Sequence, residues 1–149
     1  MLQYTIAIPL SIFNINQVIF KEQSSNKILP NSTFCKVMYS TQDCHITSIP
    51  LYITLHEQAN HTKYKYFIDK EKSKQVITQI KNIEEKLLDK YNYTMHNKIP
   101  IYKLTNQILK GMIKLQDDYK KTNHFIIKII GIWETQFEYG ITYKISNHL

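Results

Sequence analysis

Apolar and polar positions alternate over most of the first 68 residues, which is the signature of strands with one buried face. Residues 2–8 and 17–21 read as two short strands, followed by a polar loop over 22–33. Residues 34–40 and 50–56 are rich in aromatic and β-branched side chains and read as neighbouring strands across a loop at 41–48. In the second of them Leu51, Ile53 and Leu55 alternate with Tyr52, Thr54 and His56, so one face is apolar and the other polar. Residues 63–68 continue the sheet. The period then changes: Val76, Ile77, Ile80, Ile83, Leu87 and Leu88 recur at helical spacing, giving one long helix over 69–91 with Asp69 as its N-cap. Its opposite face mixes lysine with glutamate and reads as a solvated surface.

Residues 92–100 read as a loop and 101–107 as a helical turn. Beyond it Leu109, Gly111, Ile113 and Leu115 alternate with Lys110, Met112, Lys114 and Gln116. A helix over 101–116 would bury Leu104, Ile108, Met112 and Leu115, but Gly111 and the alternation favour a strand from about 109. Residues 117–123 connect to a hairpin formed by 124–133 and 139–145, so the last three strands are expected to form a meander. This order, with no repeat or linker, predicts one α+β domain over 1–149: a curved antiparallel sheet or open β-barrel of the oligonucleotide-binding (OB) kind, with a single long helix packed against it.

Composition narrows the field. A chain of 149 residues with 43% hydrophobic residues, only 3 Gly and 4 Pro is a folded single-core domain, not collagen, coiled coil or disorder. No apolar run approaches the roughly 18 residues of a membrane span. Lysine and arginine together number 19 against 12 acidic residues, for a net charge of +7, and every one of the 19 is lysine. With 24 Ile and 2 Ala, the usage is that of an AT-rich coding sequence. Lacking guanidinium forks, the chain has no bidentate reader of base edges. Lysine offers compact point charges instead, suited to an anionic polymer held without regard to sequence.

Catalytic and metal motifs are missing. Cys35, Cys44, His45, His56 and His61 fall close together, but no spacing matches a zinc finger or knuckle, and two cysteines make no disulfide framework. There is no Gly-rich phosphate loop, nucleophile elbow or His-Glu-x-x-His. Asp117-Asp118 and the Glu134/Glu138 pair sit where surface turns routinely carry acids. The expectation is a protein that is not an enzyme and holds no cofactor or metal. The N-terminal residues show no basic segment followed by a long apolar stretch, so an intracellular location is expected.

The remaining signal is aromatic residues interleaved with lysine on strands: Lys36 and Tyr39, then Tyr52, then Lys63-Tyr64-Lys65-Tyr66, then Lys128, Trp133, Tyr143 and Lys144. Bases stack on flat side chains while lysines neutralise phosphates between them. In an extended segment, Lys63, Lys65 and Phe67 would share one face and Tyr64 and Tyr66 the other, which makes the tyrosines the natural buried pair.

Residues 125–145, carrying Ile129-Ile130-Gly131-Ile132-Trp133-Glu134-Thr135 and Tyr139-Gly140-Ile141-Thr142-Tyr143-Lys144, resemble the closing segment of single-strand DNA-binding proteins of large eukaryotic double-stranded DNA viruses. The earlier runs Lys36-Val37-Met38-Tyr39-Ser40 and Ile49-Pro50-Leu51-Tyr52-Ile53 are similar to their central strands. The resemblance implies an OB-like barrel that coats single-stranded DNA, or RNA, during viral replication or recombination, in the nucleus or viral replication site of an infected cell; a homo-oligomer is the further partner expected. The alternative is a structural or adaptor protein that pairs an exposed strand edge with another chain.

Overall fold

A computed structural model describes residues 6–25, 30–58, 61–92 and 97–148. Its elements are β1 (Ile8–Pro9), β2 (Val18–Ser25), β3 (Thr33–Ser40), β4 (His45–Thr47), β5 (Ile49–Thr54), β6 (Lys65–Phe67), α1 (Lys74–Tyr91), β7 (Ile99–Ile101), α2 (Lys103–Leu109), β8 (Met112–Lys114), β9 (His124–Glu134) and β10 (Glu138–Asn147). Two 3-10 turns, Leu10–Ile12 and Ile15–Gln17, link β1 to β2. The class is α+β, with a mixed sheet and two helices.

β9 organises the sheet because its inward residues Phe125, Ile127 and Ile129 are wholly buried. One of its edges pairs antiparallel with β10, while the other edge is shared: β5 takes His124 to Ile129 and β3 takes Gly131 to Glu134. At the changeover the β9–β10 register shifts, so that Thr142 faces Gly131 but Tyr143 faces Ile129, leaving Ile130 as a bulge. Gly131 is required here. A Cβ on it would run into the Cys35 carbonyl oxygen and lie 2.6 Å from Phe34 Cζ, so only glycine lets β3 approach.

Several sequence expectations change. β3 and β5 are not hydrogen-bonded neighbours; both pair with β9, and β3 takes a short extra partner, β4, from the expected 41–48 loop. β2 runs on to Ser25, into the expected 22–33 loop. The sheet is mixed, not antiparallel, because β1 lies parallel to β5 and β7 parallel to β10. Among the described residues the main sheet does not close on itself. The 63–68 strand contracts to β6 and pairs with β8 in a separate two-stranded sheet, which leaves a hairpin where a meander was expected. β7 lies in the expected 92–100 loop. The strand over 2–8 falls mostly on residues 1–5, outside the described residues.

α1 starts at Lys74 rather than at 69. Asp69 caps a turn instead, its Oδ1 accepting the Lys72 N–H at 3.1 Å, and Ser73 Oγ turns away to accept the His56 N–H at 2.9 Å. The helix lays Ile77, Ile80, Ile83, Leu87, Leu88 and Tyr91 into the core. α2 is a second helix, not a turn, and Gly111, with φ of +82°, ends it before β8 begins. Glu84 of α1 joins the two helices. Fully buried, its carboxylate accepts the Leu104 N–H at 3.1 Å, the Thr105 N–H at 2.9 Å and the Thr105 hydroxyl at 2.5 Å. It thereby supplies the N-terminal cap that α2 lacks from its own residues.

Candidate nucleic-acid interface

Strand register, rather than sequence proximity, gathers the lysines. Lys65 on β6 faces Lys114 on β8, and Lys144 on β10 faces Lys128 on β9. Lys114 and Lys144 line a cleft of about 380 Å³, which joins the two pairs. Lys128 in turn lines a groove of about 250 Å³ together with Lys36 of β3 and Lys21 of β2. The six therefore form one track, Lys65–Lys114–Lys144–Lys128–Lys36–Lys21, that crosses from the small sheet over the outer face of the large one. All six are exposed, and among the described residues none of the six ammonium groups is engaged in an ion pair or hydrogen bond. Like charges directly opposite one another on a sheet are destabilising, and this track contains two such pairs.

Of the residues singled out from sequence, the structure brings together Lys36, Lys65, Lys128 and Lys144; Lys21 and Lys114 were missed. Alternation against Ile113 and Leu115 already placed Lys114 on a polar face, so its exposure was readable though its neighbour Lys65 was not. Lys63 is not in the track: it reaches Asp118 Oδ2 at 3.7 Å and sits over the Tyr64 ring at 5.4 Å.

The aromatic half of the expectation needs correction. Tyr66 is wholly buried, donating its hydroxyl to the Asn123 Oδ1 at 2.9 Å, so it cannot stack on a base. Tyr39 is buried against Phe13 and accepts the Asn14 N–H at 3.0 Å. Trp133 is buried as well, packed on Gly140 with Lys103 Nζ 5.0 Å from its ring centre. Tyr64 breaks the expected pairing with Tyr66: it precedes β6 and is 46% exposed. Tyr143 is half-buried, and its hydroxyl donates to Gln107 Oε1 at 2.5 Å. Burial pushes that hydroxyl up to about 12, which keeps it a donor at neutral pH.

Tyr52 stays on the outer face. It stacks on His124 at 5.7 Å, is met edge-on by His148 at 5.3 Å, and its hydroxyl lies 2.7 Å from His124 Nδ1. Its partner on β9 is Ile126, two residues from Lys128, which sets the ring roughly 7 Å along the strand from the lysine row.

Two polar clusters lie elsewhere. Glu134, read from sequence as a turn acid, is a buried hub: Lys98 Nζ bonds to Oε1, while Oε2 accepts from the Gln23 amide at 2.7 Å and the Tyr91 hydroxyl at 2.8 Å. Burial raises its carboxyl, but Lys98, Tyr91 and Gln23 together outweigh that and hold it below the usual range. A depressed carboxyl contributes stability that is present above its unfolded value, near 4.5, and lost as pH falls through the folded one. E134Q is therefore expected to lower the melting temperature at pH 7 and to flatten its decline below pH 4.5, measured by thermal melts across pH. His61 has both ring nitrogens engaged, Nε2 with Glu57 at 2.9 Å and Nδ1 with the Phe67 N–H at 3.2 Å. Among the described residues no group of three His, Cys, Asp or Glu side chains is placed to hold a metal ion, Cys35 and Cys44 are free thiols, and no helix is long and apolar enough to cross a membrane.

Comparison with protein-family models, with curated proteins and with solved structures gives no match.

Proposed function

We propose that the chain is a non-catalytic protein that binds single-stranded nucleic acid, DNA before RNA, without reading its sequence, and that it serves viral DNA replication or recombination. In this reading the curved sheet is an open barrel of the oligonucleotide-binding kind, and its outer face carries the strand. The observation that carries the reading is the track of six lysines, none of them paired among the described residues. Two cross-strand like-charge pairs cost stability in the free protein, and a bound polyanion relieves that cost. Tyr52 beside the track offers one face for stacking.

Six lysine–phosphate contacts predict a slope of about −4 in log affinity against log salt for a single strand. Fluorescence anisotropy of a labelled oligothymidylate between 50 and 200 mM salt measures it, with a duplex of equal length as control. Single-strand binding that falls steeply with salt and exceeds duplex binding supports the proposal; affinity indifferent to salt overturns it.

A second reading, a structural or adaptor protein, draws on one observation. Ile99 of the edge strand β7 and Phe137 beside it are 62% and 66% exposed, and the Ile99 N–H bonds to the Phe137 carbonyl at 2.9 Å. That apolar spot suits a protein partner, although Pro100 removes a donor from the edge.

A further inference from the structure

The cleft between α2, β8 and β10 is a site of its own. It is lined by Gln107, Lys114, Leu115, Gln116, Tyr143, Lys144 and Ile145. β7 pairs with β10 only over Glu138 to Gly140, and the Gln116 N–H reaches β10 again at the Ile145 carbonyl, 2.8 Å away. The cleft opens where these two supports leave the β10 edge uncovered.

Its chemistry is one-sided. Two lysines, Lys114 and Lys144, line it, and among the described residues no acidic residue does. The Tyr143 hydroxyl donates to Gln107 Oε1, which fixes the carboxamide and leaves its NH₂ as the free donor. Gln116, exposed at the rim, offers both a donor and an acceptor. A ligand that satisfies this set is an anion rich in acceptors with one planar, hydrogen-bonding part. The volume of about 380 Å³ equals roughly a dozen waters at about 30 Å³ each, too roomy for a bare phosphate and within the range of small-molecule pockets.

We infer that this cleft binds one nucleotide, with the phosphate held between Lys114 and Lys144 and the base edge against the Gln107 and Gln116 carboxamides, beside the Tyr143 ring. The nucleotide is either free or one unit of a strand lying on the track, since Lys144 belongs to both. The inference does not depend on the outer face binding DNA.

Amide NMR of the labelled full chain tests it, with dAMP, inorganic phosphate and an oligothymidylate as separate titrants. The expected result is saturable movement of the Gln107 and Gln116 side-chain amides with dAMP, weakened roughly tenfold in K114Q, which removes one charge-assisted bond at an exposed position. Movement of the same amides by the oligonucleotide identifies the strand as a source. Movement by dAMP alone supports a free nucleotide and counts against the single-strand proposal only. The inference is overturned if dAMP leaves these amides in place, if phosphate moves them as tightly as dAMP does, or if K114Q binds dAMP like the parent.

Discussion

Replacing Lys128 and Lys144 together by glutamine is expected to stabilise the free protein while weakening its hold on a single strand. The two side chains are directly opposed on β9 and β10, and among the described residues neither ammonium has an acidic partner. Removing a like-charge pair of this kind returns about 0.2–1 kcal/mol, or roughly 1–3 °C in melting temperature for a domain of this size. Two lost phosphate contacts lower the salt slope by about 1.4 and weaken binding most at low salt. Thermal melts and anisotropy on one preparation read both effects. A variant that melts lower than the parent removes the argument that the pair is held under electrostatic strain. A variant that binds with an unchanged slope removes these lysines from the interface. The opposite signs matter, because a generally damaged protein would lose on both counts.

The second large effect is expected at Glu84. Truncation by E84A strands the Leu104 and Thr105 amides and the Thr105 hydroxyl in the core, at about 1–3 kcal/mol for each buried donor left without an acceptor. Some of this is recovered by relaxation, so a loss of about 3 kcal/mol or more is expected from urea denaturation. E84Q keeps the shape and one acceptor oxygen and should cost less than half as much. Burial raises the Glu84 carboxyl above its usual range despite the hydrogen bonds from Thr105 and Leu104 that pull it down. The sign is therefore opposite to that at Glu134: this contribution is full below the unfolded carboxyl value and declines as pH rises. If E84A and E84Q denature at the same urea concentration as the parent, Glu84 does not hold α2 in place.

How far the sequence was legible depends on the range over which each signal acts. The hairpin over 124–147 and the helix ending at Tyr91 were readable because alternation and helical spacing are local. The partners of β9 were not, because Leu51, Cys35 and Ile141 carry similar patterns and nothing local says which will lie beside Ile127 or Ile132. The burial of Trp133 is likewise tertiary: it follows from Gly140, opposite it on β10, and Lys103, at the start of α2. Tyr64 and Tyr66 looked equivalent by alternation, but β6 begins only at Lys65, which buries one and leaves the other exposed. The candidate surface shows the same limit. Lys65, Lys128 and Lys144 stood out only as lysines beside aromatics and Lys114 not at all, and the four become one surface only once the β6–β8 and β9–β10 registers are known. Gly131 was visible within the hairpin; that it admits β3 to the shared edge was not.

That shared edge bears on how the chain is made. Residues 33–36 and 49–54 are both joined to the large sheet by a strand that begins at His124, some 70 to 100 positions later. As the polypeptide leaves the ribosome, β3 and β5 emerge well before the strand that aligns them, and neither pairs with the other. The β9–β10 hairpin, by contrast, can close on its own within microseconds and then serve as the template onto which the earlier segments are drawn. β3 can meet its near neighbours β2 and β4 as it emerges, but it and β5 join one sheet only once β9 is made, so the large sheet is completed by the strands synthesised last.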